Sequence, residues 1–354
     1  MMKVKIPTGY HIAQFSKNGK MLSICGYLGK VRILDIKTGK TLYIMTVKGI
    51  GTGTATILHQ DFSFDNQYFA FSCNRKVYVF TFEETGKYTQ EELKEQGLEV
   101  KEKSVNFLKL HKIIEVSNLE RRYTVNMLFH STLPILIVPN GKELHFHDLE
   151  KDKESVLPTP EKKDYTKYLT MSADGKYLAY QAMENKIYIY EIAKNIEKSQ
   201  LINTLEIPYQ YFAGRSMDEN VFNFIENTEK LAVFQKSEGF SVYNFLTGKE
   251  EQSILFTQIG CRTIFNLFSS KISSDGKYLF FKSENPKNQN INEWSVGDKD
   301  LEWVLYDIEN KQIIWKKEGS FPQGNIDFKN KIVAILQNTW AGRTIESFVE
   351  LLPF

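Results

Sequence analysis

The 354 residues carry 45 Lys and Arg against 43 Asp and Glu, a formal charge of +2, too near balance for bulk electrostatics to select nucleic acid or an anionic membrane. An apolar content of 42% is ordinary for a globular chain, and no run approaches the ~18–20 apolar residues of a membrane span. Three cysteines (Cys25, Cys73, Cys261) form no C-x-x-C pair and the N-terminus has no apolar signal core, so reduced thiols in a cytoplasmic setting are expected.

Taken in chain order, the sequence repeats one phrase: an apolar strand end, a tight polar turn, then a strand rich in aromatic and aliphatic residues. After a short alternating segment at 3–6, residues 15–24 carry it with Asn18-Gly19 at the turn. Asn and Asp tolerate a left-handed backbone and Gly has no Cβ to clear, so such pairs reverse a chain at little cost. Residues 30–36 then form a second strand phrase that runs into Thr38-Gly39-Lys40, and 41–45 add another strand. The phrase returns at 62–71 with Asp65-Asn66, followed by a strand at 76–80 and Thr85-Gly86-Lys87.

An insertion at about 83–123 follows, with Thr89 to Glu92 as a capping-box start for a short helix ending near Gly97. Residues 129–137 repeat the phrase with Pro134 as the breaker, 171–180 with Asp174-Gly175, 224–233 with Asn227, and 272–281 with Asp275-Gly276. Second strand phrases fall at 186–192, 240–245 and 303–308. A further insertion at about 284–300, Asn-rich and broken by Pro286, lies between the two inner strands of the sixth unit and has the character of a recognition loop. The seventh copy, 328–334, is followed by strands near 332–337 and 345–351, and the chain stops one strand short.

Seven β units of roughly 50 residues predict a propeller, each unit one four-stranded antiparallel blade, in a single domain spanning 1–354. An open ring would expose sheet edges, so the segment at 3–6 is expected to supply the outer strand of the last blade. On these repeats the chain resembles the WD40-like β-propeller superfamily, with divergent units. The Trp-Asp ending of that family stands here as Leu34-Asp35, His147-Asp148 and Tyr306-Asp307, and its Gly-His dipeptide is missing.

Motifs for chemistry are sparse. Gly214 to Asp218 fails the nucleophile-elbow pattern at its last position, and Gly39-Lys40-Thr41 mimics a P-loop end but is the repeated hairpin turn. Gly49 to Gly53 has no helix behind it to lend a dipole to a phosphate. His145 and His147 lie two apart on a strand, hence on one face, with His130 as a candidate neighbour. Such a pair suits a metal, but no carboxylate or cysteine is spaced to complete the shell and Asp148 points to the other face. A surface histidine pair is therefore expected, and no metal, cofactor or catalytic residue is assigned. The acidic residues, scattered on turns, are expected to be solvated.

The arginines are distributed unevenly. Of seven, Arg32 lies within a strand, while Arg75 and Arg343 fall between second and third strands. Arg121, Arg122, Arg215 and Arg262 fall between the outer strand of one unit and the inner strand of the next. In the propellers this chain resembles, both loop types emerge on one face around the channel mouth, where Tyr209, Tyr211 and Trp340 would join them. Guanidinium groups match carboxylates in a planar fork and stack on rings, and aromatics supply desolvated anchors. The resemblance thus implies a non-enzymatic platform for protein–protein interaction that binds an acidic protein segment or peptide, as a monomer or as a subunit of a larger assembly. The rival reading is a small-anion-binding or hydrolytic propeller with its site at the central channel. Nucleic acid would need a wider basic track than this composition offers.

Overall fold

In the computed structural model each turn phrase is a hairpin, and a serine organises four of them. Ser16 Oγ donates to Asn18 Oδ1 at 2.8 Å and accepts from the Met21 amide at 2.9 Å. Ser63 with Asp65, Ser172 with Asp174, and Ser273 with Asp275 repeat the device at 2.5–2.6 Å. The side chains thereby satisfy amides that the reversal takes out of the ladder. Gly19 has φ 67°, a backbone conformation that favours glycine, and a Cβ there would displace the Asn330 side chain.

The structure describes residues 2–7, 10–26, 29–46, 59–73, 75–82, 108–116, 126–160, 168–181, 186–207, 221–235, 239–259, 261, 270–284, 301–318, 323–341 and 344–354. Among them the strands form seven four-stranded antiparallel sheets. The first comprises β2 (Tyr10–Phe15), β3 (Met21–Gly26), β4 (Lys30–Asp35) and β5 (Thr41–Thr46). The second has β6 (His59–Phe62), β7 (Tyr68–Cys73), β8 (Lys76–Thr81) and β9 (Lys109–Glu115). The third has β10 (Leu128–Phe129), β11 (Ile135–Asn140), β12 (Glu143–Asp148) and β13 (Lys153–Pro158). The fourth and fifth are β14 (Tyr168–Met171), β15 (Tyr177–Gln181), β16 (Lys186–Glu191), β17 (Gln200–Glu206), then β18 (Val221–Ile225), β19 (Lys230–Gln235), β20 (Gly239–Asn244), β21 (Glu250–Leu255). The sixth has β22 (Lys271–Ile272), β23 (Tyr278–Glu284), β24 (Leu301–Asp307) and β25 (Gln312–Glu318).

The seventh sheet joins the two ends of the chain. β26 (Gln323–Asp327), β27 (Ile332–Ala341) and β28 (Thr344–Pro353) are completed by β1 (Met2–Ile6), paired antiparallel to β28 from Met2 opposite Leu351 to Ile6 opposite Ser347. This is the closure expected from the sequence, and the fold is a seven-bladed β-propeller. β27 and β28 run longer than their apolar cores suggested, because the ladder continues through polar residues to Ala341 opposite Thr344.

Two compact units contain these sheets: Met1–Thr159 with Pro322–Pro353, and Pro160–Phe321. In the first, Ile6, Phe15, Leu22, Leu34, Leu336 and Val349 share one core cluster. Buried polar groups stitch its sheets together: Asn325 Nδ2 donates to the Ala13 carbonyl at 2.7 Å, and Asp61 Oδ2 accepts from the Phe129 amide at 3.1 Å. In the second, Thr170 Oγ1 donates to Asn223 Oδ1 at 3.0 Å, and Phe280 stacks on Trp303 with centroids 4.8 Å apart. Middle strands such as β7 and β24 are buried throughout, whereas outer strands such as β25 are largely exposed. All three cysteines are free and buried, and burial pushes the Cys73 thiol up to about 11.

Candidate functional site

The P-loop mimic resolves into a hairpin. Gly39 has φ 69° and donates to the Asp35 carbonyl at 2.8 Å, while the Thr38 amide bonds Asp35 Oδ1 at 2.6 Å. Asp148 and Asp307 cap their own hairpins in the same way, through the amides of Lys151 and Asn310. The aspartates at the Trp-Asp positions therefore serve local turns.

Of the arginine set, Arg75 is described: it sits between β7 and β8 at φ 61°, half-buried, its carbonyl accepting from the Val116 amide at 2.8 Å. Trp340 lies in β27 opposite Ile345. Arg121, Arg122, Tyr209, Tyr211, Arg215, Arg262 and Arg343 lie outside the described residues, as do the helix expected at 89–97, the glycines at 49–53, the segment 214–218 and the recognition loop expected after Glu284. The strands that bracket the arginines are described and have the expected order: β9 and β10, β17 and β18, β21 and β22, β27 and β28. Arg32, the exception, is buried in β4, where its Nη1 donates to Thr41 Oγ1 at 2.8 Å.

The histidine pair differs from expectation. β12 alternates, so His145 and His147 do share a face, but that face is not open surface: His147 is only 5% exposed. A carboxylate is also present. The turn after Asp148 brings β13 back in register with Asp148 opposite Lys153, which sets Glu154 opposite His147 and on its face. Glu154 Oε1 is in close contact with His145 Nδ1, and Oε2 lies 3.9 Å from His147 Nδ1. On the other side, Glu143 Oε2 is 3.2 Å from His145 Nε2. The three ligand atoms of His145, His147 and Glu154 all fall within 4.8 Å of one another.

Above this face lies a cavity of about 250 Å3, walled by Val138 and the cluster on one side and by Lys112 and Ile114 of β9 on the other. Neither ring nitrogen of His147 has a hydrogen-bond partner. Burial, opposed by the charge of Glu154, lowers its pKa to about 4, so the ring is a neutral imidazole with a free lone pair at neutral pH. The hydrogen bond with His145 holds the Glu154 carboxyl below its ordinary range. His130 does not join the cluster. It takes the organising serine's place in the third hairpin, with Nδ1 accepting from the Thr132 amide at 3.2 Å.

Expectation also fails for some acidic residues. Asp61, Glu302 and Glu350 are buried rather than solvated, each beside a lysine: Lys17, Lys316 and Lys3.

Strand order and closure place the chain in the class of seven-bladed, four-stranded antiparallel propellers, consistent with WD40-like propellers of divergent repeat. No family model matches the chain, and no curated protein matches it. Among the described residues no helix is long and apolar enough to cross a membrane.

Proposed function

We propose that the protein is a non-enzymatic, cytoplasmic interaction platform that docks an acidic protein segment through arginines and aromatics of its blade-top connections. The observation that carries this reading is the restriction of arginine to one connection class. Six of the seven fall either between second and third strands or between the fourth strand of one sheet and the first of the next. In an antiparallel sheet those two connections leave from the same end. The seventh, Arg32, is used inside its sheet.

Tyr209 and Tyr211 from a connection, and Trp340 from the end of β27, are the proposed apolar anchors. A charge-assisted hydrogen bond contributes roughly 1.5–3 kcal/mol net, against ~0–1 for an exposed ion pair, so a few such contacts suffice for a specific partner. The test compares partner recovery by the wild type, Arg75→Glu/Arg343→Glu and Arg215→Glu/Arg262→Glu. Loss of an acidic partner from one or both double variants is expected. Equal recovery by all three proteins refutes the reading.

A further inference from the structure

The third sheet carries a site that the arginine reading leaves unused. Three observations converge on it. The first is the donor set: two imidazoles and one carboxylate, brought to one face by the β12–β13 register, with ligand atoms within 4.8 Å of one another. A tetrahedral ion with ligands at ~2.0–2.2 Å needs donors roughly 3.3–3.6 Å apart, so adjustments of about 1 Å in side chains close the shell. Glu154, the exposed member, is free to make most of that movement.

The second is the state of His147. A buried imidazole with neither nitrogen hydrogen-bonded is unfavourable unless something else engages it. Its Nδ1 faces Glu154, and a cation between the two would satisfy both groups. The third is the support around His145. Without an ion, Nδ1–H donates to Glu154; with a cation in place the proton would sit on Nε2, 3.2 Å from Glu143 Oε2, leaving the Nδ1 lone pair for the ion. A carboxylate behind a histidine is the usual way a metal-binding imidazole is fixed in tautomer and orientation.

The surrounding charge agrees. Lys112 reaches the cavity but is held by Asp152, with Nζ 2.5 Å from Oδ1, and Glu115 is held by Lys76 at 2.7 Å. Glu143 and Glu154 are left to balance a dication.

We propose that His145, His147 and Glu154 bind a divalent transition ion, with Glu143 positioning His145. Mixed imidazole and carboxylate donors suit zinc, which has no geometric preference of its own and accepts donors that must shift slightly; copper(II) should bind more tightly still. Three protein ligands leave a fourth position facing the cavity, where solvent or a partner's side chain can coordinate.

The experiment titrates chelator-treated full-length protein with Zn2+ against a chromophoric competitor, and repeats it with Co2+ to read the visible bands of a tetrahedral nitrogen–oxygen site. The wild type should take up one equivalent at this site. Glu154→Gln and His147→Gln should each weaken binding at least ~100-fold, Glu143→Gln by roughly 10-fold, and His111→Gln should bind as the wild type does. Glu154→Gln changes an exposed carboxyl, so it carries the test even where His147→Gln fails to fold. Absence of saturable uptake by the wild type, or equal affinity in the wild type and Glu154→Gln, overturns the proposal. Neither result bears on the arginine face, which shares none of these residues.

Discussion

Removing the N-terminal strand tests closure most directly, because its contribution can be worked residue by residue. β1 alternates: Met2, Val4 and Ile6 turn inward, and Lys3 and Lys5 turn outward. Ile6 is 4% exposed and belongs to the cluster with Val349 and Leu336, while Met2 and Val4 pack against its edge. Ile6→Ala deletes about three carbons from this core, worth ~0.8 kcal/mol each in transfer, and leaves a cavity, so ~2–4 kcal/mol of stability should be lost. Lys3 makes a weaker contribution. Its Nζ is 3.8 Å from Glu350 and 4.0 Å from the Phe348 ring centroid, with the side chain nearly half exposed, so Lys3→Ala should cost about 1 kcal/mol or less. Deleting residues 1–7 removes both contributions and the whole β1–β28 ladder, and uncovers the β28 edge. Urea unfolding followed by circular dichroism should therefore rank the proteins wild type, Lys3→Ala, Ile6→Ala, truncation, and a synthetic peptide of residues 1–7 should restore the truncated protein in trans. A truncated chain whose unfolding curve overlays the wild type's would refute the closure argument.

Two further outcomes follow from buried and turn carboxylates. Asp61, 6% exposed, accepts from the Phe62 amide at 2.9 Å, from Phe129 in the next sheet and from Lys17 of the first sheet. Asp61→Ala leaves the Phe129 amide without its acceptor and should cost ~2–4 kcal/mol by chemical denaturation, with Asp61→Asn losing less; a loss under ~0.5 kcal/mol for the alanine would remove its bridging role. The turn aspartates set the acid limb. Hydrogen bonds from Thr38 lower Asp35; Asp174 is raised by burial but lowered more by Ser172 and Lys176; Asn310 lowers Asp307. With folded values below the ordinary 3.8, their stabilisation is fully present above that value and is lost as pH falls through the folded values. A triple Asp35→Asn/Asp174→Asn/Asp307→Asn variant should show a flatter fall in stability below about pH 4; an unchanged acid limb would rule out these turns as its source.

The fold was legible because the information lies in short stretches. Asp174-Gly175 between two apolar runs specifies a hairpin without reference to the rest of the chain, and seven such hairpins leave few architectures. Closure was legible for the same reason: a last sheet one strand short, and an alternating segment at the other terminus. What the turn residues do was less visible. Ser16, Ser63, Ser172 and Ser273 stand at the same place in four repeats, yet a serine before Asp-Gly reads as ordinary turn composition until its Oγ is seen to bond both the acidic residue and the returning strand. Asp61 was beyond the same reading, because its partners are 44 and 68 residues away in sequence and only blade packing brings them together.

The histidine cluster shows where a spacing argument stops short. Pairwise counting along β12 finds His145 and His147 on one face and finds Asp148 on the other, and it ends there. The completing carboxylate is seven residues past His147, a separation with no meaning on a single strand. It acquires one through the hairpin: four residues, Leu149 to Asp152, reverse the chain, so Asp148 faces Lys153 and the next pair inward is His147 with Glu154. The signal was therefore present, but it required folding the sequence once before counting. In a protein built of hairpins, ligand sets should be sought at cross-strand register, with positions whose numbers sum to a constant about a turn, as well as at fixed spacing along the chain. Burial adds what register cannot. β9 of the preceding sheet walls this face, so the pair lines a cavity rather than open surface, and the buried His147 ring has no protein hydrogen-bond partner there.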